Sequence, residues 1–481
     1  MVRILLVSLI NICFLTTVFV RFFTADSVGS AYFIIALMSL SMVAAISINY
    51  LTFGRVLNLL NFFILIFAGY YLLTALLIMN DMALLTLFPQ WTFTELNNAL
   101  CLAFFAFSAA INGYALSTGE FLLRFLPGFD NQSINQKRLR AVIVSLIGAS
   151  IILLLMFFRS LGGVGNYVYR MAAMRVMDEF LGKGIFHIPM TILANTAMFL
   201  VFGLQRKKVF MFVVVFLTAF LINFFSASRL NLAIFFLGLI FIRQIIRPVR
   251  LRAKHIVIAV LAFFLIGPVP LALRGGYGEV SFGSIKEAIG YTASYVMTFD
   301  PSFILGIIAH GNATETLMAI TSKIQETGGF MYGRFFFGSI VLGFIPRAIW
   351  PARPPIGAHL VNEYFWRGAV ADTGAPATTM VGEIYWDFGL MGVGIVFFAF
   401  GCLLKAVERY RTRSAGNLWA AIFYAEFLWF WAIYSNETFI GAFSSWLLYL
   451  SPLFLVFRIT TMNPARETAL GRAGLLARDG G

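Results

Sequence analysis

The sequence predicts an all-α, polytopic integral membrane protein with about 12 transmembrane helices of the length that a bilayer needs. Its composition is the first reason: 60% of the 481 residues are hydrophobic and only 12% are charged, whereas soluble proteins carry about 25% charged residues. The mean hydropathy of +0.88 agrees with this class. The second reason is that no alternation of polar and apolar residues predicts strands, so the apolar runs are interpreted as helices.

The predicted transmembrane helices are apolar runs of roughly the 20 residues that cross a bilayer. They lie near 4–23, 30–53, 56–79, 95–118, 141–159, 186–204, 209–226, 230–246, 256–273, 380–404, 417–434 and 438–457. Arg3 precedes the first run and no small-residue cleavage site follows it. This helix is therefore expected to be retained rather than removed as a signal peptide.

Membrane topology explains the net charge of +14 without nucleic acid as a partner. With the N-terminus inside, the basic clusters at 205–208, 243–254 and 405–413 all fall on the inner side. An excess of Lys and Arg in the inner segments is typical of cytoplasmic connections. The sequence therefore predicts that both termini are cytoplasmic.

One connection between the predicted spans is far longer than the others and divides the chain. Residues 1–273 hold the earlier transmembrane helices, 274–379 form a large outer loop, and 380–460 hold the last transmembrane helices. Residues 461–481 form a cytoplasmic tail that is predicted to be disordered. Because a structureless loop as long as 274–379 is uncommon in a compact protein, the loop is expected to be helical.

The outer loop contains several helical patterns. Amphipathic helices are predicted near 285–297, 301–309 and 314–324. The apolar run 335–345, between Arg334 and Pro346, is too short to span a bilayer. We therefore expect a re-entrant or interfacial helix there, buried in protein or lining a polar cavity.

Arginines at the outer mouths of the spans are the first candidate site residues. They are Arg229, Arg274, Arg347 and Arg353. Arginine at a membrane boundary is costly and usually has a partner, and a guanidinium binds phosphate oxygens in pairs. The arrangement predicts a site for a dianionic group such as pyrophosphate. The alternative for each arginine is contact with lipid headgroups.

The stretch "GEIYWDFGLMGVG", residues 382–394, is the second candidate. Glu383 lies in the first turn of a predicted helix, where it either complements the helix dipole or serves as a general base. Asp387 lies one turn further along the same face. The glycines of this stretch are interpreted as sites of close helix packing: Gly389, Gly392 and Gly394.

The remaining titratable groups are scattered. Glu426 falls in the middle of a predicted span and is either functional or a protonated or hydrogen-bonded structural glutamate. His359, in the outer loop, is the histidine most suited to chemistry. No cluster of His, Cys or acidic residues has metal-ligand spacing, so the sequence predicts no metal and no cofactor.

Three stretches carry a resemblance to a known family: "SASR" at 226–229, "IPRAIWPARPP" at 345–355 and "GEIYWDFGLMG" at 382–392. With these motifs and a long outer loop before the last helices, the chain resembles the Wzy-type O-antigen polymerases. This family polymerises the oligosaccharide repeat units of bacterial surface polysaccharides such as O-antigen, capsule or exopolysaccharide.

The resemblance implies a metal-independent glycosyltransferase, similar to the C-type membrane glycosyltransferases, in the bacterial inner membrane with its active site facing the periplasm. The loop 274–379 would then be periplasmic. The implied substrate is an oligosaccharide linked to undecaprenyl pyrophosphate, and the growing glycan is transferred to the non-reducing end of an incoming lipid-linked unit. A chain-length regulator and a flippase of the same pathway are the implied partners.

The resemblance also implies roles for the candidate residues. Arg347, Glu383 and His359 are the expected catalytic residues, with Glu383 as the preferred base and His359 as the second choice. Pyrophosphate and glycan binding would involve the following residues: Arg229, Arg274, Arg353, Trp350 and Tyr385.

Other functions remain open at this level. An O-antigen ligase has the same architecture and is the nearest alternative. A polysaccharide flippase or transporter is the alternative from another class, although such proteins often contain internal repeats and none is detectable here. A structural member of a polysaccharide assembly complex is a further alternative.

Overall fold

The computed structural model confirms the all-α class. It describes residues 2–24, 27–54, 58–80, 91–129, 134–164, 184–203, 209–225, 229–246, 312–327, 329–343, 379–414, 416–433 and 438–461, with the single positions Glu287, Gly290, Ser294, Ile345, Trp350 and Ala352. In these ranges the chain is helical apart from short turns, and extended pairing is confined to an isolated bridge between Ile134 and Thr461.

The first part of the chain, up to Ile246, forms the following helices in its described residues. They are α1 (Val2–Phe23), α2 (Val28–Phe53), α3 (Leu59–Phe67), α4 (Thr74–Met79), α5 (Phe93–Leu116), α6 (Glu120–Leu123), α7 (Gln136–Ser160), α8 (Gly184–Gly203), α9 (Val209–Phe225) and α10 (Arg229–Ile246). A π-helical turn, Ala68–Leu73, joins α3 to α4.

The later helices include the longest of the described part. They are α11 (Asn312–Thr327), α12 (Arg334–Gly343), α13 (Met380–Arg413), α14 (Leu418–Phe427) and α15 (Phe439–Thr460). A second π-helical turn, Leu428–Ile433, follows α14.

Six of the described helical segments are long and apolar enough to cross a membrane. They are α1, α2, the run Leu59–Met79, α5, α7 and α13. Shorter apolar helices occupy Pro189–Phe202, Val209–Phe224, Leu418–Trp431 and Trp446–Thr460. Each predicted span coincides with a helix, except 256–273, which lies outside the described residues. The total of about 12 spans, the domain boundaries and the inner and outer sides stay predictions.

Side-chain caps fix where several helices begin, because the first N–H groups of a helix have no partner within it. The Ser27 hydroxyl accepts from the third residue of α2, and the Asn135 amide oxygen accepts from the first turn of α7 at 3.1 Å. Thr92 and Glu95 form a capping box at the start of α5. The apolar runs therefore become helices at positions that polar residues mark in the sequence.

Helices α5 and α13 form the tightest contact at the centre of the bundle. A Cβ atom added to Gly401 would lie 1.9 Å from the carbonyl oxygen of Ala110, and one added to Gly113 would lie 2.0 Å from the carbonyl oxygen of Phe398. The two backbones therefore touch directly, which is the packing that small residues allow in membrane proteins. This contact fixes α13 against the rest of the core.

Helix α13 is interrupted near its N-terminal end. Gly389 has φ 65° and ψ −162°, which is not a helical conformation, and a side chain larger than hydrogen would be strained there. The nearest atoms to an added Cβ are 3.4 Å away, in the Phe330 ring. The packing role predicted for Gly389 is therefore wrong: this glycine provides a backbone break, whereas Gly394 does pack, against Phe105.

The predicted amphipathic helix at 314–324 is present as α11, but it lies inside the bundle. It packs against α5, α13 and the π-helical turn Ala68–Leu73. The first half, from Ala313 to Ile320, is buried, whereas its end carries the exposed ion pair of Lys323 and Glu326. The predicted helices near 285–297 and 301–309 fall largely outside the described residues.

Candidate functional site

The structure describes part of the predicted site. Glu383 and Tyr385 lie in the first turns of α13, and Trp350 is 41% exposed. Arg229 begins α10, although its side chain is outside the described part. Four further predicted residues lie wholly outside it: Arg274, Arg347, Arg353 and His359. The phosphate-binding role of the four arginines therefore stays a prediction. Glu383 is the predicted catalytic residue whose surroundings the structure describes.

Glu383 is buried where two helices begin. Its side chain is 1% exposed, and its Oε1 atom accepts a hydrogen bond of 2.5 Å from the hydroxyl of Thr438, which immediately precedes α15. The N-terminus of α13 favours a carboxylate in its first turn because the helix dipole is positive there. Glu383 thus joins the starts of α13 and α15.

The residue that starts α13 has an unusual backbone. Thr379 caps the helix, since its hydroxyl accepts from the backbone N–H of Gly382 at 3.0 Å. Its φ of 60° is rare for a β-branched residue and costs about 1–3 kcal/mol. Strain of this kind occurs at active sites and ligand clamps, and here it lies four residues before Glu383.

Tyr71 completes this group from the π-helical turn Ala68–Leu73. Its hydroxyl is buried and faces the side chains of Thr379 and Glu383, but it reaches hydrogen-bonding geometry with no described group. Single π-helical turns inside α-helices are frequent at functional sites. We refer to Tyr71, Thr379, Glu383 and Thr438 as the Glu383 cluster.

Helix α11 covers the cluster and ties its parts together. The Thr314 hydroxyl donates to the carbonyl oxygen of Tyr70 at 2.7 Å. A Cβ atom at Gly382 would lie 2.9 Å from Ile320 of α11, so this helix also abuts the first turn of α13. Glu315, next to Thr314, is fully buried as well. The start of α13, the π-helical turn and α11 therefore enclose a polar interior.

Asp387, one turn beyond Glu383, has a different environment. Its carboxylate accepts from the backbone N–H groups of Phe335 at 3.0 Å and Phe336 at 2.5 Å, which are in the first turn of α12. The N–H of Met331 donates to the carbonyl of Trp386 at 2.9 Å. Asp387 therefore caps α12 from another helix, and both of its carboxylate oxygens accept hydrogen bonds from that helix.

Two predicted sugar-binding aromatics are only loosely tied to this site. Tyr385 is partly buried and its ring meets that of Phe330 edge-on, with centroids 6.0 Å apart. Trp350 is exposed, and no described contact links it to Glu383. Their roles stay predictions.

Glu426 is buried in α14, and neither of its carboxylate oxygens has a hydrogen-bond partner among the described groups. It lies one residue before the end of α14, which the second π-helical turn follows. The described residues bring together no three His, Cys, Asp or Glu side chains that would hold a metal ion.

Sequence reasoning found Glu383 but missed the rest of its cluster. Thr379 was detectable, because a Thr directly before an apolar helix is a capping signal. Tyr71 and Thr438 carry no such signal, since they reach the cluster only through the tertiary fold.

Part of the chain is similar to O-antigen polymerases. The chain is 36% identical over 106 residues to the O-antigen polymerase of Salmonella typhimurium (strain LT2) and, equally, to that of Salmonella typhi. The matched stretch covers 21% of this chain and 25% of each relative, about a quarter of their length. No protein-family model matches the chain, and no solved structure matches it.

Proposed function

We propose that the protein is a polymerase of lipid-linked oligosaccharide repeat units of a bacterial surface polysaccharide. The partial similarity to O-antigen polymerases supports this proposal, as do the membrane-spanning helices. The observation that carries it is the Glu383 cluster, because a buried carboxylate that accepts from an aliphatic hydroxyl already makes the contact that a sugar hydroxyl needs.

The proposed reaction transfers a glycan from undecaprenyl pyrophosphate to the non-reducing end of an incoming unit. The bond between sugar C1 and the pyrophosphate oxygen breaks, and its electron pair leaves with the pyrophosphate. A bond forms between C1 and the acceptor hydroxyl oxygen, whose proton passes to a base. The protein must therefore supply a base and cations that stabilise the leaving group.

Glu383 is the proposed base. A carboxylate can accept about four hydrogen bonds, so it can hold a sugar hydroxyl beside or in place of Thr438. Because Glu383 is 1% exposed, the acceptor must displace part of the surrounding chain to reach it. Excluding water in this way would also protect the donor sugar from hydrolysis. His359 is the second candidate for the base.

The outer arginines are the proposed anion clamp. Arg347 and Arg353 of the proline-rich stretch, with Arg229 and Arg274, would bind the pyrophosphate, because guanidinium groups match phosphate oxygens in pairs. Tyr385 and Trp350 would stack on sugar rings. In this proposal the reaction uses no metal and no cofactor, and a chelator should leave the activity of the purified protein intact.

The proposed location is the bacterial inner membrane with both termini in the cytoplasm, so that Glu383 and the loop 274–379 face the periplasm. This side is where a flippase would deliver lipid-linked units and where a chain-length regulator would act. Nucleic acid has no part in the proposal.

A surface-polysaccharide gel of a deletion strain tests this function. Loss of long chains, with single repeat units still attached to lipid A, is the result that we expect of a polymerase. Loss of all glycan beyond the lipid A core would instead identify a ligase, and loss of all surface glycan would indicate a flippase. Restoring the wild-type gene on a plasmid is the control.

A further inference from the structure

The hydroxyl of Tyr71 is an unsatisfied donor beside the proposed base. The Tyr71 side chain is 1% exposed, and its hydroxyl lies near the Thr379 side chain without reaching the distance and angles of a hydrogen bond with any described group. Burying a hydroxyl without a partner is destabilising, and buried polar groups are almost always paired. A folded chain that keeps such a group at this position gains nothing from it in stability.

The surroundings show where this hydroxyl is directed. It faces Thr379 and Glu383, and the π-helical turn that carries it is held by the bond from Thr314 to the neighbouring carbonyl of Tyr70. A π-helical turn shifts the backbone by one residue relative to a continuous α-helix. The position of Tyr71 therefore depends on a local backbone feature, and α11 supports that feature.

We infer that Tyr71 binds the acceptor sugar, by a hydrogen bond to the hydroxyl next to the one that reacts at Glu383. This inference rests on the proposed function and adds a residue to its acceptor subsite. A carboxylate only accepts hydrogen bonds, whereas a tyrosine hydroxyl both donates and accepts. The two side by side suit a pair of adjacent sugar hydroxyls, one that gives its proton to Glu383 and one that is held by Tyr71.

Tyr114 offers a matched comparison within the same protein. It is as deeply buried as Tyr71, but its hydroxyl donates to the side-chain oxygen of Asn49 at 2.7 Å. Changing either residue to phenylalanine removes a single oxygen atom and keeps the ring. The two variants therefore separate a hydroxyl that binds substrate from one that holds the fold.

The experiment uses the full-length protein, purified and placed in lipid nanodiscs. The substrate is the lipid-linked single unit extracted from the deletion strain. Both kcat/KM for polymerisation and the unfolding temperature are measured, the latter with a thiol-reactive dye that reports exposure of the free cysteines, such as the buried Cys13. The variants are Tyr71→Phe and Tyr114→Phe.

For Tyr71→Phe we expect kcat/KM to fall about tenfold, the loss of one hydrogen bond to the substrate, with an unchanged or higher unfolding temperature. Tyr114→Phe should lower the unfolding temperature and leave kcat/KM unaltered. The inference is overturned if Tyr71→Phe keeps kcat/KM within about twofold, or if it lowers the unfolding temperature as Tyr114→Phe does. An inactive wild-type protein would instead overturn the proposed function.

Discussion

The two ends of α13 both carry a buried carboxylate, but these carboxylates have different surroundings. At the C-terminal end, Glu408 forms an ion pair with Arg411 and accepts a bond of 2.6 Å from the Tyr424 hydroxyl. At the N-terminal end, Glu383 accepts from Thr438, and the adjacent Tyr71 hydroxyl bonds to no described group.

The C-terminal end is built as a network. The Leu59 N–H also points at Glu408, at 3.5 Å, so the carboxylate faces the start of α3. Nearby, Asn49 accepts from Tyr114 and donates to the Asn61 side chain at 2.8 Å. We refer to Glu408, Arg411, Tyr424, Tyr114 and Asn49 as the Glu408 network.

The difference shows how a membrane protein uses buried polar groups. Groups that bond to one another, as Glu408, Arg411 and Tyr424 do, hold helices in register, although the buried Nε atom of Arg411 has no hydrogen-bond partner among the described groups. Removing one member leaves a buried charge or donor unpaired. The Glu383 cluster differs because Thr379 has a strained backbone and because the leftover donor is a hydroxyl near the proposed base rather than part of an ion pair. This combination suits a ligand. We therefore assign stability to the C-terminal end of α13 and chemistry to its N-terminal end.

The largest effect of changing an arginine is expected at Arg347, a residue of the proposed anion clamp. If Arg347 stabilises the leaving pyrophosphate, Arg347→Ala should lower the polymerisation rate about 100-fold. Arg347→Lys should recover only part of that rate, because lysine is a point charge and cannot bind two phosphate oxygens as a guanidinium does. Long chains on a polysaccharide gel and the amount of protein in the membrane are the measurements.

The control for Arg347 is Arg409, near the C-terminal end of α13. Arg409 forms an exposed pair with Glu120 at 2.6 Å, and exposed pairs contribute about 0–1 kcal/mol. Arg409→Ala should therefore make normal polymer. Normal chains from Arg347→Ala would mean that Arg347 is a headgroup anchor, and the proposed role of "IPRAIWPARPP" would be lost.

Substitutions in the Glu408 network should lower the stability of the fold and leave the activity unchanged. Tyr424→Phe removes a hydrogen bond to a buried carboxylate, which costs about 1.5–3 kcal/mol. We expect a lower unfolding temperature in detergent and unchanged polymer length in cells. A variant with wild-type unfolding temperature but shortened polymer would contradict the division between the two ends.

The smallest effect is expected at Asp387, which caps α12. Asp387→Ala should cost about 0.5–2 kcal/mol, as does the loss of a helix cap, and should increase amide hydrogen exchange in α12. Asp387→Asn keeps one acceptor oxygen, so its exchange rate in α12 should lie between those of the wild type and Asp387→Ala. Exchange is followed by mass spectrometry of peptides from 334–343, with Glu326→Ala, at an exposed ion pair, as the control.

Exchange rates in α12 that do not change in Asp387→Ala would contradict the capping role. A loss of polymer far greater than the change in exchange would make Asp387 a candidate base. Either result would show whether Asp387, which lies between Glu383 and Glu408 along α13, serves the fold or the reaction.

The sequence predicted the helices well because apolar runs and capping residues are local signals. It also placed Glu383 in the first turn of its helix, and it predicted α11, although the burial of that helix was not foreseen. Gly389 was misinterpreted, since a glycine in a helical pattern can either pack or break the helix. Only the backbone angles distinguish these roles.

The partners of Glu383 could not be predicted, for a physical reason. Thr438 lies 55 residues away in sequence, and Tyr71 reaches the cluster through a π-helical turn that changes the hydrogen-bond register without changing the apolar pattern. Contacts of this kind depend on how helices pack. The arginine candidates fall outside the described residues and stay predictions.

The most direct test of the account compares the two carboxylates by the same substitution. Glu383→Gln and Glu408→Gln each remove one negative charge and keep the shape of the side chain. Activity per folded molecule, with extracted lipid-linked units, and unfolding temperature are measured for both. We predict that Glu383→Gln loses at least about 100-fold in rate, as expected for a general base, at nearly normal stability. Glu408→Gln should unfold at a lower temperature because Arg411 loses its partner, yet its folded molecules should polymerise normally. A Glu383→Gln protein with normal activity would show that Glu383 is not the base.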